Sequence, residues 1–380
     1  RLGNLTGQFL DDTVHDRDIP FAQSMTRYFQ MNALEMLACE GFQSQQQAEA
    51  FYEKARTQRA NIRKLIGQDL RQSIARYDSA HVTLEPTFFS DMLGIQGRLD
   101  FLYRHKKQTI IIEQKSGKGD FVPPSSPSYD PEVPKPQEKH LVQLLLYRAL
   151  LTYEFNLHSE ELSHIMLLYS RYQQGLVSVG QMPALMLRAI RMRNLLAWCE
   201  IHHAQEGYAF LSTLSPEKLN RKQVGGILWN IYVRPELERL LLPIHQASPL
   251  ERAYFLRFMQ FLAQERLLSK VGSKTKEDAG FASKWLSSLE EKRAAGNIYE
   301  GLILDDFQQD DDGVTGLMAR FPQQQSADTS NFRRGDIVLL YPYKEHTEPR
   351  VCAQMVIRGS IEDISTEGIR LTLRNGQTDP

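Results

Sequence analysis

The segment Ile110-Ile111-Ile112-Glu113-Gln114-Lys115 constrains the fold of this chain more than any other. Three consecutive β-branched residues favour a strand that lies in the core. Side chains two positions apart on a strand point to the same side, so Glu113 and Lys115 share one face with Ile111, whereas Gln114 faces the other way. The pattern therefore predicts a core strand that ends in a carboxylate and an amine held together.

The segments around this strand predict an α/β domain. Apolar residues recur at helical spacing from about residue 20 to residue 77, and strand patterns follow at 81–90, 93–103 and 109–115. Prolines at 123, 124, 127, 131, 134 and 136 exclude regular structure and indicate a mobile loop, interpreted as a flap. An apolar helix is predicted at 138–155 and a buried strand at 164–172.

The remaining patterns predict two further regions. Residues 181–295 are mostly helical in pattern, and an acidic loop is expected at 305–312. Short strand patterns return at 337–341, 351–357 and 369–373, spaced as in a small barrel. The predicted organisation is an α/β core over 1–175, a mainly helical extension over 176–325, and a small C-terminal β-barrel over 326–380.

Composition excludes several classes of protein. Lys and Arg number 45 against 46 Asp and Glu, so a surface for nucleic acid must be local rather than global. Cys39, Cys199 and Cys352 form no CxxC pair, which argues against a disulfide framework or a zinc site and suits a reducing cytosol. No apolar run approaches the roughly 18 residues of a transmembrane helix. We therefore expect a cytoplasmic protein, associated with the nucleoid if bacterial, with no membrane partner.

Three residues predict a metal site with hydrolytic chemistry. If the strand before Glu113 pairs with its own strand, Asp100 comes alongside Glu113 and supplies a second hard oxygen ligand, which suits Mg²⁺ or Mn²⁺. Divalent ions can activate water and neutralise charge on phosphoryl oxygens during phosphodiester cleavage. Lys115 could position the attacking water or accept its proton, and the sequence leaves both roles open.

Gln143 and Tyr147 extend this constellation. They lie four residues apart on the predicted helix and so share one face, where they could orient Lys115 or contact the DNA backbone. A Glu and a Lys two apart on a strand are more often a solvated pair on an exposed face. Here the pair ends a core strand, follows Gly97-Arg98-Leu99-Asp100, and precedes Gln143 and Tyr147, so the order favours a catalytic site.

The motifs GxxD, (D/E)xK and QxxxY in this order resemble the RecB-like branch of the PD-(D/E)XK nucleases, over about residues 80–172. The resemblance implies a restriction-endonuclease-like core. It implies metal binding by Asp100, Glu113 and the main-chain carbonyl of Gln114, with Lys115 as the catalytic lysine. Gln143 and Tyr147 match the motif of nucleases coupled to helicases. Glu85 stands where some relatives carry a further acidic group, although a solvent-facing strand residue is the commoner interpretation.

The sequence departs from that branch in two respects. Many relatives place a metal-binding His on the first helix, and residues 20–77 offer no equivalent; Glu35 and Glu40 there are interpreted as helix-surface residues. Many relatives also hold an iron-sulfur cluster with four cysteines. Three scattered cysteines cannot supply four ligands, so no iron-sulfur cluster is expected.

The resemblance implies a metal-dependent deoxyribonuclease acting on single-stranded or flapped DNA in replication or repair. Residues from about 331 resemble the small barrel of superfamily 1 nuclease-helicases, which implies a helicase domain in cis beyond residue 380 or as a partner subunit. Arg59, Arg63 and Tyr129 are candidate DNA contacts, because single-strand grooves combine basic and aromatic side chains. The alternative is a catalytically inactive DNA-binding scaffold that keeps the nuclease fold.

Overall fold

The computed structural model describes residues 1–380 except 40–41, 75–76, 156, 159–160, 274–279, 311–312, 323–329, 345–346 and 378–380. The chain divides into two compact units. One combines Arg1–Met186 with Ser287–Pro380, and the other is Leu187–Leu286. Within the described ranges, none of the helices is both long enough and apolar enough to span a bilayer.

The first part of the chain begins with helices, and strands follow before and after a further helix. Its helices are Leu2–Val14 (α1), Phe21–Met31 (α2), Ala33–Leu37 (α3), Gln45–Lys64 (α4), Arg71–Ser73 (α5) and Glu138–Glu154 (α6), and a π-helical segment, Leu65–Leu70, joins α4 to α5. Its strands are Val82–Leu84 (β1), Thr87–Ser90 (β2), Ile95–Arg98 (β3), Phe101–His105 (β4), Gln108–Lys115 (β5), Leu162–Tyr169 (β6) and Leu176–Ser178 (β7). The mixed α/β class expected from the sequence is confirmed.

Strand β5 lies at the centre of a sheet of order β1-β4-β5-β6-β7. It pairs antiparallel with β4 and parallel with β6, and α6 lies on the connection between β5 and β6. Ile110 and Ile112 belong to a core cluster with residues of α1 and α4, whereas Ile111 packs on the other face with residues of α6. Both faces of β5 are therefore covered, which explains its unbroken isoleucine run.

Helix α1 lies outside the helical region predicted from the sequence, which begins near residue 20. Leu5, Phe9 and Leu10 are almost fully buried in the core beside β5. The buried side of α1 also carries polar residues, among them Asp12, whose carboxylate accepts a hydrogen bond of 3.0 Å from the Ser24 hydroxyl. Polar residues on the buried face break the apolar periodicity on which the prediction relied.

The unit Leu187–Leu286 is helical. Its elements are Pro183–Glu206 (α7, which begins before the unit), Pro216–Leu219 (α8), Arg234–Gln246 (α9), Pro249–Val271 (α10) and Ser283–Leu286 (α11), with a 3₁₀ turn at Ala209–Thr213 and a π-helical segment at Leu228–Val233. Helix α10 begins with a capping box, in which Ser248 and Glu251 each accept a backbone N–H of the other.

The C-terminal residues form an open antiparallel sheet, so the predicted β-barrel is wrong. After Leu289–Ala294 (α12), the strands are Ile303–Asp310 (β8), Gly313–Arg320 (β9), Ile337–Leu340 (β10), Ile357–Ile364 (β11) and Gly368–Gln377 (β12). Their order is β10-β11-β12-β9-β8, and over the described residues the edge strands β10 and β8 do not pair to close it. Even strand spacing did not distinguish a barrel from an open sheet.

Two local predictions in this region are also wrong. The acidic segment expected as a loop at 305–312 is largely strand β8, which lies at the sheet edge with most of its side chains exposed. Charged residues are common on edge strands because they discourage pairing with other chains. The strand expected at 351–357 is instead a 3₁₀ turn, Val351–Ala353, and β11 begins only at Ile357.

The C-terminal sheet is joined to the N-terminal α/β part by hydrogen bonds to backbone groups. Thr87 and Val356 exchange both of their N–H···O bonds at 2.9 Å. The buried Gln377 side chain donates to the Leu84 carbonyl at 3.2 Å and accepts from the Leu84 N–H at 3.3 Å. The segment from Leu84 to Thr87 is therefore held at both ends by the C-terminal sheet.

Candidate active site

The register of the central sheet brings Asp100 beside Glu113. Phe101 of β4 pairs with Ile112 of β5, so the residue before Phe101 stands next to the residue after Ile112. The main chain makes a direct link as well, because the Gln114 N–H donates to Asp100 Oδ2 at 2.6 Å. The pairing that the sequence left conditional is thus present at the carboxyl end of β5.

Glu113 is the centre of the polar contacts at this end of the sheet. It is 3 % exposed, and its Oε1 accepts from Lys115 Nζ at 2.6 Å and from Gln143 Nε2 at 2.7 Å. Its other oxygen, Oε2, is buried and has no hydrogen-bond partner among the described residues. A buried carboxylate oxygen without a donor is costly, and a cation is one of the few groups that can satisfy it.

The pKa shifts of Asp100 and Glu113 also indicate a site that a bound cation would stabilise. Burial and the neighbouring Asp100 raise the pKa of Glu113 to about 7. Burial also raises the pKa of Asp100, although the hydrogen bond from the Gln114 N–H lowers it in part. Two acidic groups held close together in a poorly solvated place disfavour each other's ionisation, and a bound divalent cation would reverse that effect.

Gln143 and Tyr147 connect Glu113 to the strand that leads to Asp100. Gln143 Nε2 donates to Tyr147 Oη at 2.9 Å as well as to Glu113, and the Tyr147 hydroxyl donates to the Arg98 carbonyl at 2.7 Å. Burial and Glu113 raise the pKa of Tyr147, so the hydroxyl stays protonated and remains a donor. The two residues therefore position the carboxylates.

Helix α6, which carries Tyr147, also explains why residue 97 is a glycine. A Cβ on Gly97 would lie 2.4 Å from Tyr147 Cε1 and 2.9 Å from its Cδ1. Because the Tyr147 side chain is only 8 % exposed and packed in the core, it cannot move aside easily. The first residue of the GxxD motif and the last of the QxxxY motif thus require each other sterically.

Asp11 lies on α1, outside residues 20–77, in which the sequence offered no equivalent of the first-helix ligand. Burial, followed by the charge of Glu85, raises the pKa of Asp11 well above its ordinary value, and Asp100 also contributes. Asp11 therefore carries a further carboxylate close to the site. Its signal in the sequence was weak, since the helix that carries it has a mixed face. Glu35 forms a surface pair with Arg1, and Glu40 lies outside the described residues.

Among the described residues, the three candidate DNA contacts form no hydrogen bond with Asp100, Glu113 or Lys115. Arg59 donates to the Ile19 carbonyl, and Arg63 pairs with Asp18 at 2.9 Å. Tyr129 lies in the proline-rich loop and is 43 % exposed. The base of that loop is closed, because the Asp120 N–H donates to the Lys135 carbonyl at 2.6 Å. A role in DNA binding for the three residues stays a prediction.

The sequence profile of the PD-(D/E)XK nuclease superfamily matches residues 13–224, which is more than half of the chain. The chain belongs to this superfamily. Its members are usually nucleases, generally use Mg²⁺ or Mn²⁺, and bind nucleic acid. No curated protein matches the chain. The family resemblance expected from the motifs is therefore confirmed at the level of the superfamily.

Proposed function

We propose that the protein is a metal-dependent deoxyribonuclease that hydrolyses phosphodiester bonds of single-stranded or flapped DNA. The observation that carries this proposal is the state of Glu113. One of its oxygens binds both the motif lysine and the motif glutamine, and the other faces no donor. That arrangement suits a carboxylate prepared for a cation.

The donor set fits a hard divalent ion. The Asp100 and Glu113 carboxylates and the Gln114 main-chain carbonyl would hold Mg²⁺ or Mn²⁺, with water and phosphate oxygens in the remaining positions. Over the described residues, no group of three or more His, Cys, Asp and Glu side chains is arranged to hold a metal, and the proposed set consists of two carboxylates and a main-chain carbonyl. A cation bound here would favour ionisation of the nearby Asp11 carboxyl, whose pKa is raised in its absence.

The protein's own groups divide the chemical work. A bound divalent ion would supply charge neutralisation at the phosphoryl oxygens and acidify water. Lys115 Nζ, now donating to Glu113, can hold the attacking water and face the developing charge on the phosphate. Gln143 fixes Glu113, and Tyr147 fixes Gln143 against the Arg98 carbonyl, so that the carboxylates keep their spacing when substrate enters.

The finer assignment is to the RecB-like branch, as the nuclease region of a helicase-nuclease in replication or repair. The hydrogen-bonded QxxxY pair supports it, because this motif accompanies nucleases coupled to helicases in the family that the sequence resembles. The helicase would lie in cis beyond residue 380 or in a partner subunit. We propose a nuclease core over 1–175, a helical extension over 176–325 and a helicase-associated region over 326–380, in a cytoplasmic protein without an iron-sulfur cluster.

The test is cleavage of labelled single-stranded, flapped and closed circular duplex DNA with Mg²⁺, with Mn²⁺ and with chelator. We expect cleavage of the first two substrates with either metal and none with chelator. Lys115→Ala and Asp100→Ala should each lower the rate by about 10²- to 10³-fold, a loss typical when a group that stabilises transition-state charge is removed. DNA binding should change little, since it rests on many dispersed phosphate contacts.

A matched control is Lys118→Ala, which removes a lysine three residues beyond Lys115. It should keep the cleavage rate within about twofold, because a single exposed charge contributes little. Equal cleavage by wild type, Lys115→Ala and Asp100→Ala would reject the site. Metal-independent DNA binding with no cleavage of any substrate by the wild type would favour the inactive scaffold.

A further inference from the structure

Three arginines meet where the C-terminal sheet joins the nuclease core. Arg98 ends β3, while Arg358 lies on β11 and Arg374 on β12. All three line one small cleft, together with Glu85 and Gln377. The cleft is next to a candidate metal ligand, because Arg98 is two residues before Asp100 and the Glu85 N–H donates to the Asp100 carbonyl.

The positions of Arg358 and Arg374 follow from the sheet register. Gly359 of β11 pairs with Leu373 of β12 in an antiparallel arrangement. One step further along, Arg358 stands opposite Arg374, on the same face of the sheet. Like charges directly opposite each other on neighbouring strands are destabilising, so this pair is unfavourable unless an anion lies between or beside the two guanidinium groups.

Intramolecular carboxylates do not balance this positive charge. Glu85 pairs with Arg98 at 2.6 Å, whereas over the described part of the chain no carboxylate forms an ion pair with Arg358 or Arg374. The Arg358 Nε is buried and has no hydrogen-bond partner there. Burial lowers the pKa of Arg358, and repulsion from Arg98 and Arg374 lowers it further. Three arginines against one glutamate leave an excess of two positive charges.

The cleft is also held in a fixed place relative to Asp100. The exchange of hydrogen bonds between Thr87 and Val356 lies two residues before Arg358, and the contacts of Gln377 with Leu84 lie three residues after Arg374. Between them, Glu85 adopts a positive φ of 48° and donates its N–H to the Asp100 carbonyl at 3.3 Å. A non-glycine residue in this region is strained, and such strain persists only where the surroundings impose it.

We propose that Arg358 and Arg374, with Arg98, form a second phosphate-binding site of the nuclease, which holds the backbone of the DNA strand beside the phosphate being cleaved. Guanidinium groups match phosphate oxygens by paired, charge-assisted hydrogen bonds. The C-terminal sheet is then part of the substrate-binding surface rather than only a link to a helicase. This inference rests on the proposed function, because the phosphate bound in the cleft is taken to belong to the DNA that the adjacent site would cleave.

The experiment measures binding of a short fluorescent single-stranded DNA to the full chain, with chelator present so that no cleavage occurs. The double variant R358Q/R374Q is compared with wild type and with R334Q over a series of salt concentrations. Arg334 is an exposed arginine in the turn before β10, so R334Q removes a positive charge from the same sheet outside the cleft.

We expect R358Q/R374Q to bind at least about tenfold more weakly, because it removes two guanidinium groups that would donate charge-assisted hydrogen bonds to phosphate. The slope of log K against log salt should fall by about 1.4, because each phosphate contact on a single strand contributes about 0.7. R374Q alone should show about half of the slope change, and because Arg374 is exposed this variant keeps its fold.

Affinity and slope for folded R358Q/R374Q equal to those for R334Q would overturn the proposal. If the double variant unfolds, R374Q decides the question, because an unchanged slope for that variant is equally decisive. The result is separable from the proposed function. Failure of catalysis appears as cleavage that persists in Lys115→Ala or is missing in wild type, whereas failure of this site appears only in the binding slope.

Discussion

Hydrogen bonds connect the side chains of Glu113, Gln143 and Tyr147 in series, and Tyr147 is the last of the three. Its hydroxyl donates to the Arg98 carbonyl and accepts from Gln143, which in turn donates to Glu113. Removing this hydroxyl would therefore loosen Glu113, a candidate metal ligand, although the hydroxyl does not contact Glu113 directly. The residue should matter for the geometry of cleavage more than for binding of DNA.

We predict that Tyr147→Phe lowers kcat about tenfold to a hundredfold, the range typical for loss of a group that orients a metal ligand. The Mg²⁺ concentration needed for half-maximal activity should rise in parallel. Cleavage rates are measured over a metal titration. Tyr153→Phe, on the exposed side of the same helix, is the control and should behave as wild type. An unchanged metal requirement in Tyr147→Phe would show that the hydroxyl does not position Glu113.

The raised pKa of Glu113 predicts a dependence of stability on pH in metal-free protein. Its pKa is about 7 in the folded protein against 4.5 as the ordinary value, so the folded state binds more protons between these values. The resulting stabilisation is present below about pH 4.5 and is lost as the pH rises through about 7.

Between pH 5 and pH 8, Glu113 should cause the free energy of unfolding of the wild type to fall by on the order of 2 kcal/mol. In Glu113→Gln this fall should be absent. The measurement is urea unfolding of wild type and variant in chelator at several pH values. Glu367→Gln, an exposed substitution on the C-terminal sheet, should retain the wild-type slope. Identical slopes in wild type and Glu113→Gln would contradict the assignment.

At the scale of elements, the packing of β3 against α6 determines where both motifs lie. Gly97→Ala places a methyl group on the Tyr147 ring, so we expect a loss of about 1–3 kcal/mol in stability, as for overpacking elsewhere. Activity should fall with it, because Tyr147 would shift. Gly7→Ala is the control, since a Cβ there meets nothing within 4 Å on α1. Thermal unfolding of both variants checks this, and equal melting temperatures would contradict the steric argument.

The elements that the sequence predicted well are those whose pattern is imposed by burial. Strand β5 and helix α6 were predicted within a residue of their bounds, because isoleucines buried on two faces and a continuous apolar helix leave few alternatives. Asp100 could be placed beside Glu113 only on the condition that their strands pair, and β4 and β5 do pair. The contact of Gln143 with Glu113, rather than with Lys115, depends on helix rotation and could not be read from spacing.

The elements that were missed or wrong depend on long-range pairing. Helix α1 carries polar residues on its buried face, so Asp11 was overlooked. Strand β8 lies at the edge of its sheet, where charged residues are common. Which strand lies at the edge depends on how all the other strands pair, so the sequence of β8 alone does not reveal it. A five-stranded sheet closes into a barrel only if its two edge strands pair with each other. Neither β10 nor β8 carries a local sequence signal that decides this pairing.

At the scale of the whole molecule, the C-terminal sheet and the nuclease core belong to one compact unit although about 290 residues separate their contacts in sequence. Gln377 is the clearest joint, because its buried side chain forms hydrogen bonds with both polar groups of the Leu84 backbone. Removing the amide leaves two buried backbone groups without these partners, which costs more than the loss of an exposed hydrogen bond.

We therefore predict that Gln377→Ala lowers the stability of the nuclease core by about 2–6 kcal/mol, since each of the two unsatisfied buried groups costs roughly 1–3 kcal/mol. Amide hydrogen exchange should speed up at Leu84 and Thr87 in the core as well as along β12, because the joint holds both sides. Gln308→Ala, on the exposed edge strand β8, is the matched control and should leave exchange in the core unchanged. Faster exchange confined to β12, with Leu84 and Thr87 still protected as in wild type, would mean that the sheet is an independent module. In that case, contacts within the core alone would position the segment that carries Glu85, which lies between the core strands and the arginine cleft.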